Sequence, residues 1–201
     1  MDTFDAIERR RSVKNYDPNH KFSDKEIEKL LNLAILSPTS FNIQNWRFLI
    51  IRDPEIRKKI RDAAWDQSQV TDSSLFVVLC ADLKSWNKNP ERYWNNAPQE
   101  SRMFLVSMIT KFYDDNEQLQ RDEAMRSCGI AAQTLMLGAK AMGYDSCPMI
   151  GFDSQKVAQI INLPEDHVIC MMLAIGRQAK PPMPRGGQLG LDKIMFTDRF
   201  S

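Results

Sequence analysis

Four cations and a hydroxyl fall within six residues, Arg9-Arg10-Arg11-Ser12-Val13-Lys14, at the end of what reads as a short N-terminal helix. Guanidinium groups make paired hydrogen bonds to phosphate oxygens, a serine hydroxyl adds a donor, and a lysine two residues further on reaches a second negative group. The chemistry indicated is anion binding, with a solvated basic turn as the competing reading. A second stretch, Ser37-Pro38-Thr39-Ser40-Phe41-Asn42-Ile43-Gln44-Asn45-Trp46, is polar and turn-rich although it lies between an apolar helix and an apolar strand. Its Ser, Thr, Asn and Gln side chains are of the types that hydrogen-bond the edge of a flat heteroaromatic ring. A phosphate-like site at Arg10, Ser12 and Lys14 beside such a turn points to a bound organic cofactor that carries phosphate. The segment Trp65-Asp66-Gln67-Ser68-Gln69-Val70, read by itself, is a polar surface loop.

Other chemistries lack their parts. His20 and His167, the only histidines, fall in loops with no nucleophile motif nearby, which argues against a hydrolytic triad. There is no Walker loop, no GxGxxG and no H-E-x-x-H. Cys80, Cys128, Cys147 and Cys170 are far apart in sequence and read as small buried apolar residues, indicating neither zinc nor a disulfide framework. Lys plus Arg (27) nearly balances Asp plus Glu (26), and a net charge of +1 offers no general field for nucleic acid or an anionic membrane. Any anion site must be local. No apolar run approaches the roughly 20 residues that span a bilayer, and Met1-Asp2-Thr3-Phe4-Asp5 lacks the regions of a signal peptide, so a cytoplasmic protein is expected.

The elements that must position these residues follow from periodicity. Asp2 or Thr3 can cap a first helix through Arg9, with Phe4, Ile7 and Ala6 as its inner face. Ser23-Asp24-Lys25-Glu26 is a capping box, after which Ile27, Leu30, Leu31, Ala34 and Ile35 repeat at helical spacing up to Pro38. Arg47 to Arg52 reads as a buried strand, Asp53-Pro54-Glu55 opens another helix, and Leu75 to Ala81 is a second interior strand. Between Asn87 and Gln120 only a helical run at Ser101 to Phe112 stands out. Arg121 to Met142 gives the longest helix, with a broad face of small apolar residues, and Gly143 can end it. Such a helix serves equally as the spine of one domain or as part of a subunit interface. Ser146 to Asp153 reads as a loop in which Gly151 permits unusual torsions and Asp153 caps a short helix to Ile161. Val168 to Ile175 is a third interior strand. The Pro- and Gly-rich stretch Gln178 to Gly190 then leads to an isolated apolar segment, Leu191 to Phe196, that needs something to lie across.

Taken in order, Arg-x-Ser-x-Lys, the Ser37 to Trp46 turn, Gln67-Ser68-Gln69-Val70, Pro148-Met149-Ile150-Gly151-Phe152-Asp153 and the basic Pro-rich tail resemble the FMN-dependent NAD(P)H nitroreductases over essentially the whole chain. Asn45 stands where many members carry Pro before the Trp, and Ile150 where some carry Glu. The resemblance implies an α+β fold, a mixed sheet flanked by helices, with residues 1–201 as one domain. It also implies a homodimer with two FMN sites at the interface, about residues 178–201 forming a C-terminal extension that adds a strand to the partner's sheet. Arg10 and Ser12 would hold the FMN phosphate, with Arg185 and, more weakly, Lys180, and Arg11 would be a further cofactor-binding residue, while Lys14 would lie near the N1/O2 edge of the ring. Pro38, Thr39, Ser40 and Asn42 would come from the other subunit. Gln67 and Gln69 would contact the ribityl chain or pyrimidine edge, and Pro148, Met149, Ile150 and Gly151 would cover one ring face and offer a backbone N–H toward N5 and O4.

The implied activity is hydride transfer from NADPH or NADH through flavin N5 to a nitroaromatic, quinone or similar electron-poor small molecule, by a ping-pong mechanism and without a catalytic side chain. Lys14 would give electrostatic support. Two alternatives stand beside it: a flavoprotein of the same fold with other chemistry, such as reductive dehalogenation or flavin destruction, and a non-enzymatic flavin-binding redox sensor. Neither the acceptor nor the preference between NADH and NADPH follows from the sequence.

Overall fold

The computed structural model describes residues 1–200; Ser201, the last residue of the expected domain and tail, lies outside the described residues. In chain order the elements are α1 (Thr3–Arg9), α2 (Asp24–Ala34), β1 (Trp46–Ile50), α3 (Pro54–Ala63), α4 (Gln69–Asp72), β2 (Leu75–Asp82), α5 (Gln99–Tyr113), α6 (Glu117–Ala141), β3 (Asp145–Met149), α7 (Ser154–Ile160), β4 (His167–Gly176) and α8 (Leu191–Ile194). The four strands form one sheet in the order β1-β2-β4-β3, antiparallel at every ladder. Among the described residues parallel pairing enters only as an isolated bridge between Ser12 and Ser146, so the sheet expected to be mixed is antiparallel in all its ladders.

β2 is buried along its whole length because helices cover both faces of the sheet. Successive side chains of a strand point to opposite faces, and here they feed two cores. Leu75, Val77, Leu79 and Ala81 join Leu173 and Ile175 of β4 beneath α2 and α6; Phe76 and Val78 join Met172 and Ala174 beneath α3, α4 and α7. This explains why β2 and β4 read as continuous apolar runs. A smaller cluster of Ile43, Trp86, Ile109 and Tyr113 seats α5 beside the Ser37–Trp46 turn.

Local chemistry sets the helix ends. The Ser23 capping box forms, with Ser23 accepting from the Glu26 N–H and Glu26 accepting from the Ser23 N–H. Asp53 and Asp153 cap α3 and α7, and Gly143, at φ +86°, closes α6 in a left-handed turn open to few other residues. Glu26 also accepts from the Tyr144 hydroxyl, and with Ser23 this holds its carboxyl at about 2, below the ordinary 4.5. A depressed folded pKa contributes stability that is present above the unfolded value and lost as pH falls through the folded one. Glu26→Gln is therefore expected to flatten the wild-type loss of stability between pH 4.5 and about 2, read by denaturant titration at each pH.

Several expectations need correction. Of the expected inner face of α1 only Ala6 is buried; Phe4 and Ile7 are exposed, since this helix of two turns meets α6 along one narrow edge. The stretch read as a loop from Ser146 is in part the strand β3. Pro148 concealed it, because proline cannot donate to a ladder, yet β3 is an edge strand where that is tolerated. Gly151 has no left-handed torsion, and Gln69 and Val70 of the expected surface loop are buried in the short helix α4. Cys170 is half-buried, unlike the other three cysteines: Leu79 pairs with Met171 and Cys80 with Ile169, which leaves Cys170 as the extra residue of a β-bulge.

Candidate functional site

Arg10 ends α1, its N–H bonded to the Ala6 carbonyl and its backbone already extended. The chain then runs beside β3, where the Val13 N–H donates to the Ser146 carbonyl at 3.1 Å. Val13 is fully buried, and extended geometry turns its neighbours Ser12 and Lys14 outward. The C-terminal segment returns over this run. Ala179 N–H donates to the Asn15 carbonyl at 2.9 Å, the Arg11 guanidinium donates to the Met183 carbonyl, and Arg185 Nη2 donates to the Glu8 and Arg10 carbonyls at 2.8 and 3.1 Å. A cation at the last carbonyls of a helix is electrostatically favoured.

These ties enclose a cleft of about 630 Å³ lined by Arg10, Arg11, Ser12, Lys14, Lys180 and Arg185, with Asn15, Gln188, Met183 and three prolines. Five cations and no carboxylate line it. Among the described residues, the Arg10 guanidinium and the Lys14 and Lys180 ammonium groups have no ion-pair or hydrogen-bond acceptor, whereas Arg11 and Arg185 are committed in part to carbonyls. The positive field reaches β3: burial pushes the Cys147 thiol up, and Lys14 and Arg10 partly offset that. Unpaired guanidinium and ammonium groups around one concavity suit a phosphate group.

β3 leads from this cleft to Ile150 and Gly151, and a second set of expected residues meets there. Gln67 Nε2 donates to the Gly151 carbonyl at 2.8 Å, and buried Gln69 donates through Nε2 to Gln67 Oε1 at 2.9 Å. The Phe152 N–H closes a tight turn on the Ile150 carbonyl, and the Asp153 N–H donates to Ala63 at 2.8 Å. Among the described residues the Ile150 and Gly151 N–H groups donate to nothing, so two adjacent backbone donors remain open beside an Ile150 side chain that is 81% exposed. Open amides next to exposed apolar surface suit a flat ring with acceptors on its edge.

The remaining expected residues lie elsewhere. The turn carrying Pro38, Thr39, Ser40 and Asn42 packs with α6 and the loop before α5: Ser37 Oγ meets Thr134 Oγ1 at 2.9 Å, Ser40 N–H donates to Glu123 at 3.4 Å, and Asn42 Nδ2 donates to the Tyr93 carbonyl at 2.9 Å. None of the four lines the basic cleft. Phe41, Asn42 and Gln44 all have φ between 43° and 55°, a conformation non-glycine residues rarely hold without a reason. Sequence reasoning passed over Asn15, next to Lys14, and Trp65, whose indole lies on Gly151. For Trp65 the available signal was a large aromatic residue directly before the Gln67 and Gln69 amides. A separate acidic group, Asp82 with Asp166 and His167, is an ion-pair network in which Lys88 Nζ lies 2.9 Å from Asp82 and 2.5 Å from Asp166.

A sequence model of the Nitroreductase family matches residues 7–177. The chain belongs to this family. Among its relatives, Protein DrgA of Synechocystis sp. is 58% identical over 180 residues, which is 90% of this chain and 86% of that one. YodC of Bacillus subtilis, whose name assigns it provisionally to the NAD(P)H nitroreductases, is 34% identical over 197 residues, 96% of each chain. A crystal structure described as that of a nitroreductase from Exiguobacterium sibiricum in complex with FMN superposes with a TM-score of 0.90 at 31% identity, covering 98% of this chain and 97% of that one. The α+β nitroreductase fold implied by the sequence is thus the fold observed. No helix among the described residues is long and apolar enough to cross a membrane.

Proposed function

We propose that this nitroreductase-family protein is an FMN-dependent oxidoreductase that uses NADPH or NADH to reduce nitroaromatics, quinones or similar flat electron-poor small molecules. The observation that carries the reading is the convergence of unpaired Arg10, Lys14 and Lys180 on one cleft, joined through β3 to the open Ile150 and Gly151 amides. An anionic tail and a polar-edged ring are thereby met by adjacent parts of one surface. When bound, FMN supplies a two-electron acceptor and donor that no side chain provides.

The residues of this chain bind and orient. Arg10 and Ser12 would hold the phosphate, Arg11 and Arg185 brace the cleft wall through the Met183, Glu8 and Arg10 carbonyls, and Lys180 adds a further cation. Lys14 would act electrostatically, offsetting negative charge on the reduced ring. Gln67 and Gln69 present amide edges to the ribityl chain or pyrimidine. The Pro148–Gly151 loop would cover one face of the ring and leave the other for nicotinamide and acceptor, an arrangement that would give ping-pong kinetics.

The site is completed by a second copy of the chain. Phe4, Leu36, Met103, Phe104 and Phe200 are each more than 60% exposed, more large apolar surface than an isolated soluble chain leaves uncovered. The Pro38–Asn42 turn stands apart from its own chain's cleft and is contributed to the partner's, while the tail, which lies on its own chain as far as Arg185, crosses over beyond that point. The test is direct. Purified protein is expected to be dimeric and yellow, or to become yellow with FMN, and to bleach when NADPH or NADH is added and recolour with menadione or nitrofurazone. A colourless monomer that takes up no FMN would sink the reading.

A further inference from the structure

Trp65 is 73% exposed, and it reaches that position through a conformation that bulky residues avoid: its φ is 54° and that of Asp66 is 56°. Two left-handed residues in succession persist only where the surroundings over-determine them. Here Asp66 N–H donates to the Arg61 carbonyl at 3.0 Å, and Arg61 Nε donates to Asp66 Oδ1 at 2.6 Å. Burial of the indole is not what the strain achieves, since most of the ring faces solvent. What it achieves is contact with Gly151. A methyl group at Gly151 would stand 2.7 Å from Trp65 Cζ3, so any larger residue there would push the indole off this position. Hydrogen bonds tie the same two loops on either side of this contact, Gln67 to the Gly151 carbonyl and Asp153 N–H to the Ala63 carbonyl.

We propose that Trp65 is a positioning residue that acts through Gly151: with Gln67 it clamps the peptide whose open N–H meets the flavin ring. The assignment rests on the flavin reading above. Gly151→Ala is its mirror image, because the added methyl displaces the same indole.

The experiment compares Trp65→Ala, Trp65→Phe, Gly151→Ala and the Trp65→Ala/Gly151→Ala double variant by FMN titration of apoprotein and by the midpoint potential of the bound flavin. Loss of one well-placed donor is expected to raise the FMN Kd about tenfold in Trp65→Ala and in Gly151→Ala. The potential should fall in both, because a donor to the electron-rich reduced ring is misplaced. Trp65→Phe should stay near wild type, and the double variant should be no worse than either single one, as residues in contact are not additive. Hydrogen exchange on apoprotein should show faster exchange of the Phe152 and Asp153 amides in Trp65→Ala. Wild-type Kd and potential in Trp65→Ala, or full additivity in the double variant, would overturn the proposal. Unchanged exchange overturns the clamp with or without cofactor. Wild-type protein that takes up no FMN overturns the flavin reading and with it the role of the amide, an outcome distinguishable because exchange is read on the apoprotein.

Discussion

Arg10→Ala is expected to weaken FMN binding by about 1.5–3 kcal/mol, roughly tenfold to a hundredfold in Kd, the loss typical of a hydrogen bond to a charged group. Arg10 is chosen over Arg185 because its guanidinium is unpaired among the described residues, whereas Arg185 also holds the Glu8 and Arg10 carbonyls. Removing Arg185 would loosen the tail as well as withdraw a charge, and the two effects could not be told apart. Arg10 is only half-buried and contributes little to the core, so the thermal stability of the apoprotein should stay within about 0.5 kcal/mol of wild type. Fluorescence titration of apoprotein with FMN measures the affinity. A Kd equal to wild type would remove the phosphate from this cleft.

Phe76→Ala is expected to cost about 3–5 kcal/mol of folding stability. Phe76 is fully buried near the start of β2, in the core that seats α3, α4 and α7, with the Arg57 guanidinium 5.9 Å from its ring. Truncation removes the transferred area and leaves a cavity between layers that cannot collapse without moving the sheet. Denaturant unfolding at matched protein concentration reads the loss, since the stability of the proposed dimer would depend on concentration. A change under 1 kcal/mol would mean that these layers repack freely. Because α3 leads into the loop carrying Trp65 and Gln67, the same variant should also bind FMN less tightly.

Local sequence signals located the framework. The Ser23 capping box, the Asp53-Pro54 start, the Gly143 stop and the apolar runs of β2 and β4 each act within a few residues, so each could be read without knowing what lay opposite. The basic run was legible for the same reason, as chemistry concentrated in one short stretch, whereas the Gln67 and Gln69 amides read locally as a surface loop and entered only through the family resemblance. β3 was not, because its proline is acceptable only at a sheet edge, and edge position belongs to the topology.

The sequence by itself determined which residue types could hold an anion and a ring, through charge and donor chemistry that does not depend on the fold. Tertiary structure alone decided which of them meet. Among the described residues it left Arg10, Lys14 and Lys180 unpaired while committing Arg185 in part to backbone carbonyls, it placed the Pro38–Asn42 turn apart from the cleft, and it laid Trp65 on Gly151. Those outcomes depend on contacts between residues up to 177 apart, as between Arg185 and Glu8, which only the packing of layers around the sheet can bring together.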